Sequence, residues 1–136
     1  MTVKDVQRGI GPATVVGTLV AESLAPGAVV DLPIVIRRIH RVRAGSAVDR
    51  VGGQPEVWTL LDFTCDEGLG DELAAQLSVG LLPGPWYADW TVGPAKQVVF
   101  AGRIFKVDRQ DAVGLAAVRE YARAVGVPEA QLDWAQ

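Results

Sequence analysis

Residues 56–82, EVWTLLDFTCDEGLGDELAAQLSVGLL, decide the fold. The run Glu56–Thr64 is rich in β-branched and aromatic side chains, which suit a pleated, half-buried surface, and it reads as a strand. It leads into Thr64-Cys65-Asp66-Glu67, whose Thr-x-x-Glu spacing is that of a capping box. In such a box the hydroxyl and the carboxylate each satisfy a backbone N–H that a helix start leaves unpaired. Leu69, Leu73, Leu77 and Leu81 then recur every fourth residue and form one apolar stripe. Asp71, Glu72 and Gln76 fall on other faces, and Pro83-Gly84-Pro85 ends the pattern. The stretch therefore predicts a strand followed by an amphipathic helix lying on a sheet.

Working outward toward the C-terminus, Trp86–Thr91 and Gln97–Val107 read as two antiparallel strands joined by a turn at Gly93-Pro94. Asp108 and Asp111 can cap a second helix with the stripe Leu115, Val118, Ala122 and Val125, and Gly126 followed by Val127-Pro128 supplies its stop. The tail PEAQLDW fits a one-turn helix or a short closing strand. The order strand, helix, strand, strand, helix predicts an α+β, ferredoxin-like antiparallel sheet with both helices on one face. Toward the N-terminus, Ala13–Leu24 and Val29–Arg43 flank Ala25-Pro26-Gly27 and read as a β-hairpin, followed by a loop over Ala44–Pro55. The expected organisation is one domain over 1–136, with 1–55 as hairpin and loop and 56–136 as the main module.

The bounds on class are consistent with this. A chain of 136 residues can bury roughly two thirds of its unfolded surface, enough for one core. Hydrophobic residues make up 49% and mean hydropathy is +0.22, so much apolar surface must be buried in the core or in a contact with another chain. No stretch approaches the about 20 apolar residues of a membrane-spanning helix. The opening MTVKDVQRGIGPATVV lacks the pattern of an export signal, so a cytoplasmic location is expected. One cysteine, Cys65, allows no intrachain disulfide, and with His40 as the single histidine no structural zinc set is available. Neither metal nor cofactor is expected. A net charge of −3 argues against general nucleic-acid binding, which depends on a basic surface.

Candidate functional residues lie on the sheet. Alternation along the expected strands puts Trp58, Asp62, Tyr87, Asp89 and Arg103 in the more polar set. Asp62 and Asp89 are candidate acids or bases if desolvated, with Arg103 or Tyr87 polarising a substrate. The blander reading pairs Arg103 with an aspartate as a structural ion pair. Trp58, Trp86, Tyr87 and Trp90 are candidate binding aromatics, or simply core. The run Arg37-Arg38-Ile39-His40-Arg41-Val42-Arg43 is a basic stripe whose Arg38 and His40 are candidate anion contacts, although a charged strand also protects a sheet edge from aggregation. Cys65 and the glycines of Gly9-Ile10-Gly11-Pro12 and Val51-Gly52-Gly53 match no nucleophile pair or phosphate loop.

The run Trp86 to Trp90, then Val99-Phe100, Arg103-Ile104-Phe105-Lys106, Tyr121 and the closing GVPEAQLDW of residues 126–134 resembles a family of small uncharacterised bacterial proteins. The resemblance spans about the last fifty residues and implies no activity, cofactor or catalytic residue. It does draw attention to Gln131 and Asp133 beside Tyr87 and Asp89. Three functions of different classes follow as expectations. The first is an accessory or binding protein that uses an aromatic-rich sheet face to hold a protein partner or a small molecule, with a homodimer as one form. The second is a cofactor-free isomerase or cyclase acting on a hydrophobic metabolite by acid/base chemistry. The third is an immunity or antitoxin-like inhibitor.

Overall fold

The computed structural model describes residues 14–43 and 54–132. Six strands form one open antiparallel sheet: β1 (Thr14–Val20), β2 (Val35–Arg43), β3 (Val57–Asp66), β4 (Ala88–Val92), β5 (Ala95–Phe100) and β6 (Arg103–Asp108). Two helices accompany it, α1 (Gly70–Gly80) and α2 (Ala112–Ala124). The spatial order is β2-β3-β1-β4-β5-β6. None of the helices is long and apolar enough, among the described residues, to cross a membrane.

That order corrects the expected N-terminal hairpin. β1 and β2 are not neighbours, because β3 lies between them, pairing with β1 from Thr14↔Asp66 to Val20↔Leu60 and with β2 from Val35↔Thr64 to Arg43↔Val57. The Ala25-Pro26-Gly27 punctuation is therefore not a hairpin turn but the start of an excursion. Ala25 N–H donates to Gly80 O at 2.8 Å, and Asp31 N–H donates to the Gln76 side chain at 2.8 Å, so residues 25–31 run along α1. Leu24, Val30, Leu32 and Ile34 pack from this excursion onto the core. The sheet order also departs from that of a ferredoxin-like fold, and the α+β class is what holds.

A second correction concerns the strand expected over Gln97–Val107. It is two strands, folded back at Ala101-Gly102, where Gly102 takes φ 75°, a left-handed conformation that glycine adopts without a side-chain clash. The turn inverts the alternation, so Val98 and Phe100 share a face with Arg103 and Phe105. The turn expected at Gly93-Pro94 is present and sets Val92↔Ala95 through Ala88↔Val99.

Strand β3 overruns the expected helix start. Cys65 and Asp66 stay in the ladder opposite Val15 and Thr14, and the Thr64 hydroxyl accepts from Arg37 Nε at 3.2 Å, so Thr64 caps nothing. A 3-10 turn over Glu67–Leu69 precedes α1, whose N-cap makes no side-chain hydrogen bond. Helix α2 matches its signals more closely. Asp111 accepts from Gly114 N–H at 3.0 Å, and Val127 N–H closes onto Ala122 O beyond a left-handed Gly126, the geometry of a glycine-terminated helix. The tail forms a 3-10 turn at Glu129–Gln131, and Asp133 and Trp134 lie outside the described residues.

The helices lie on opposite faces, not on one. Leu73, Ala74 and Leu77 of α1 join Val15, Phe63, Trp90 and Val99, while Val118 and Ala122 of α2 join Val98 and Phe100. Val98 and Val99 are consecutive in β5 and point to opposite faces, so the two cores are the two sides of the sheet. This explains the continuous apolar run Val98-Val99-Phe100, as expected of a strand covered on both faces. Fully burying each leucine of the α1 stripe contributes about 1.5–3 kcal/mol.

Candidate functional site

The face carrying α1 is here called the front and the face carrying α2 the back. On the back, α2 covers β5 and β6 together with Tyr87, which precedes β4, and a cluster of Trp58, Trp86, Val20, Val42, Leu60 and Leu82 closes one end of β1 to β3. Between these two apolar regions the sheet stays open. Thr18, Arg38, Asp62, Asp89 and Lys96 line a shallow concavity of 550 Å³ there, with Val16 exposed at its floor.

The register assembles this patch. Thr18 lies opposite Asp62 across β1 and β3, and Arg38 lies opposite Asp62 across β3 and β2, so one carboxylate stands between a hydroxyl and a guanidinium. Thr18 Oγ1 donates to Asp62 Oδ1 at 2.8 Å, and Arg38 Nε donates to Oδ2 at 2.9 Å. His40 Nε2 sits 3.3 Å from the same Oδ2, close enough for an ion pair when protonated but without hydrogen-bond alignment. The Thr18 hydrogen bond, then that from Arg38, hold the Asp62 carboxyl below the usual carboxylate range, against an opposing effect of burial. Asp62 is thus ionised at neutral pH.

Across β1, Asp89 Oδ2 pairs with Lys96 Nζ at 2.6 Å. The lysine side chain is only 14% exposed, its stem lying along the sheet. The concavity therefore carries two carboxylates and two cations in adjacent pairs. It can offer both acceptors and donors to a polar group, with each charge already balanced by its neighbour.

The five residues of the polar set do share the back face, but the structure does not bring them together. Asp62 and Asp89 line the concavity from either side of β1. Trp58 is buried against Trp86, with ring centroids 5.2 Å apart, and its indole N–H donates to Pro55 O. Tyr87 packs under α2, and its hydroxyl donates to Gln131 O at 2.6 Å, tying the tail to β4. Arg103 lies over the rings of Phe105 and Tyr121, a cation–π arrangement beside α2, so the sequence-level pairing of Arg103 with an aspartate is replaced by an aromatic one. Trp90 points to the front core, where its indole N–H donates to Gln97 Oε1 at 2.7 Å. Trp58, Trp86 and Trp90 are thus core side chains.

Two residues of the patch escaped sequence reasoning. Thr18 becomes visible only once β1 is known to pair with β3. Lys96 was within reach, because a turn at Gly93-Pro94 that pairs Val92 with Ala95 places Lys96 diagonal to Asp89. Cys65 is buried on the front face, where burial and then the Asp66 charge push its thiol up, the opposite of an activated nucleophile. Among the described residues, no three His, Cys, Asp or Glu side chains converge as a metal-ligand set. No protein-family model, curated protein or solved structure matches the chain.

Proposed function

We propose that this chain is a small accessory or binding protein that holds a polar partner or small ligand on the open part of its back face. The observation that carries this reading is the Asp62-Arg38-Thr18 cluster facing the Asp89-Lys96 pair across an uncovered, concave stretch of sheet. A surface of fixed, alternating charge is suited to orienting a ligand that bears both donors and acceptors. It is less suited to proton transfer on a hydrophobic metabolite, because the concavity is shallow, its walls are charged and Asp62 is stabilised as the anion, which weakens it as a base at neutral pH. The binding surface in this reading is polar rather than aromatic, since the tryptophans are occupied in the cores.

The test is a thermal-shift screen of small polar metabolites, amino acids and dicarboxylates against the wild type and Asp62→Asn. A compound that binds only the folded protein raises the wild-type melting temperature, and the shift is expected to vanish in Asp62→Asn. A compound that is chemically converted when incubated with the protein would replace this reading with the enzymatic one.

A further inference from the structure

The outer edge of β2 is a different surface. It pairs with β3 along one side, and among the described residues no strand occupies its other side. Its nine residues make a long edge, whereas sheet edges are commonly kept short to prevent unwanted pairing. The ladder is interrupted by a bulge at Arg37, between Ile36 and Arg38, and runs regularly from Arg38 to Arg43. That regular stretch presents a row of main-chain donors and acceptors to solvent.

Five basic side chains decorate this strand in a chain of net charge −3. Arg38 is engaged with Asp62, and Arg43 pairs with Glu56 at 3.6 Å. Arg37 donates to the uncharged Thr64 hydroxyl. Arg41 attracts Glu22 at longer range, and both Glu22 oxygens accept from Thr59, one from the backbone N–H and one from the hydroxyl. Neither Arg37 nor Arg41 makes an ion pair among the described residues, whereas Arg38 and Arg43 do. Between them Ile39 is 64% exposed.

We propose that this edge accepts an extended acidic segment of a partner protein as an added strand. Main-chain hydrogen bonds to Arg38–Arg43 supply the pairing, acidic side chains sit beside Arg37 and Arg41, and an apolar residue covers Ile39. A second copy of the chain is a poor occupant, because β2 against β2 sets arginines opposite arginines. The same charge that blocks self-association thus selects an acidic strand. This surface stands apart from the back-face concavity and does not depend on it.

The probe is a fluorescein-labelled heptapeptide, Thr-Glu-Thr-Val-Thr-Glu-Thr, whose valine lies between two glutamates on one face of the extended chain, titrated with the full chain and followed by fluorescence anisotropy. Binding is expected at low salt, with amide hydrogen exchange slowed in β2, and it should weaken as salt rises. The double variant Arg37→Glu/Arg41→Glu should weaken it about tenfold. Its far-UV circular dichroism should match the wild type, with the melting temperature lowered by no more than about 5 °C, since what is lost is a surface hydrogen bond of Arg37 and the attraction between Arg41 and Glu22. A peptide of the same sequence, N-methylated at alternate residues, should not bind. Equal binding of the methylated peptide would mean charge contact without strand addition and would overturn the proposal, as would no binding of the parent peptide. Loss of binding in Asp89→Asn, with the double arginine variant unaffected, would place the peptide in the concavity. That result would overturn the edge proposal while leaving the back-face reading intact.

Discussion

Replacing Gly17 by alanine tests the register that builds the patch. Gly17 lies at the centre of β1, opposite Phe63 on one side and Trp90 on the other. A methyl group there would sit 2.8 Å from Phe63 Cζ and 3.0 Å from Cε1, closer than carbon atoms in van der Waals contact. The ring cannot easily withdraw, because Phe63 is buried and packs edge-on against buried Trp90. Overpacking of this kind costs about 1–3 kcal/mol. Alanine recovers about 0.5–1 kcal/mol through the smaller conformational freedom that glycine loses on folding. The net loss then lies between about 0 and 2.5 kcal/mol and is expected near 1 kcal/mol, or about 3–5 °C in melting temperature for a domain of this size. Urea unfolding followed by tryptophan fluorescence measures it. In a Phe63→Leu background the penalty should shrink, since the clashing ring atoms are gone, and a double-mutant cycle should show positive coupling. A stabilising Gly17→Ala, or additive effects with Phe63→Leu, would refute the placement of β1 between β3 and β4, and with it the contact of Thr18 with Asp62.

Three further outcomes follow from the same geometry. Leu73→Ala should cost about 2–5 kcal/mol in urea unfolding, because Leu73 is fully buried between α1 and the front face. Glu22 is subject to burial, which would raise its pKa, but the hydrogen bonds from Thr59 prevail and hold it below the usual value. A carboxyl lowered in the folded state contributes stability above its unfolded pKa, and that contribution is lost as pH falls through the folded one. Glu22→Gln should therefore flatten the acid side of the stability profile between pH 5 and pH 3, roughly, and an unchanged acid limb would contradict the assignment. Thr18→Val removes the hydroxyl that is the largest influence on Asp62, so the Asp62 carboxyl carbon should titrate at higher pH in carbon-detected NMR, with a stability change below about 1.5 kcal/mol.

Local signals were legible where a single residue type dictates a conformation. Asp111 at the start of α2, Gly126 at its end and the Gly93-Pro94 turn could each be read from the sequence because each satisfies backbone groups within a few residues. The failures share a cause, which is that pairing across the sheet is non-local. Nothing near Ala25-Pro26-Gly27 records that β3 inserts between β1 and β2, and a strand pairs equally well in isolation with either neighbour. The Ala101-Gly102 turn was masked by apolar residues on both sides, and missing it hid the fact that the two helices cover opposite faces. The run Val98-Val99-Phe100 carried that information, since a strand apolar at every position has no solvent face. Asp62 and Asp89 were legible as residues of one face, but their partners Thr18 and Lys96 depended on registers across strands.

The most direct test of the binding role is to titrate the stabilising compound from the thermal screen into isotopically labelled protein and follow both sets of NMR signals. Binding on the back face should shift the resonances of Thr18, Arg38, Asp62, Asp89 and Lys96, with the spectrum of the compound itself unchanged over time. Shifts confined to the outer surfaces of α1 and α2, or progressive conversion of the compound, would contradict it.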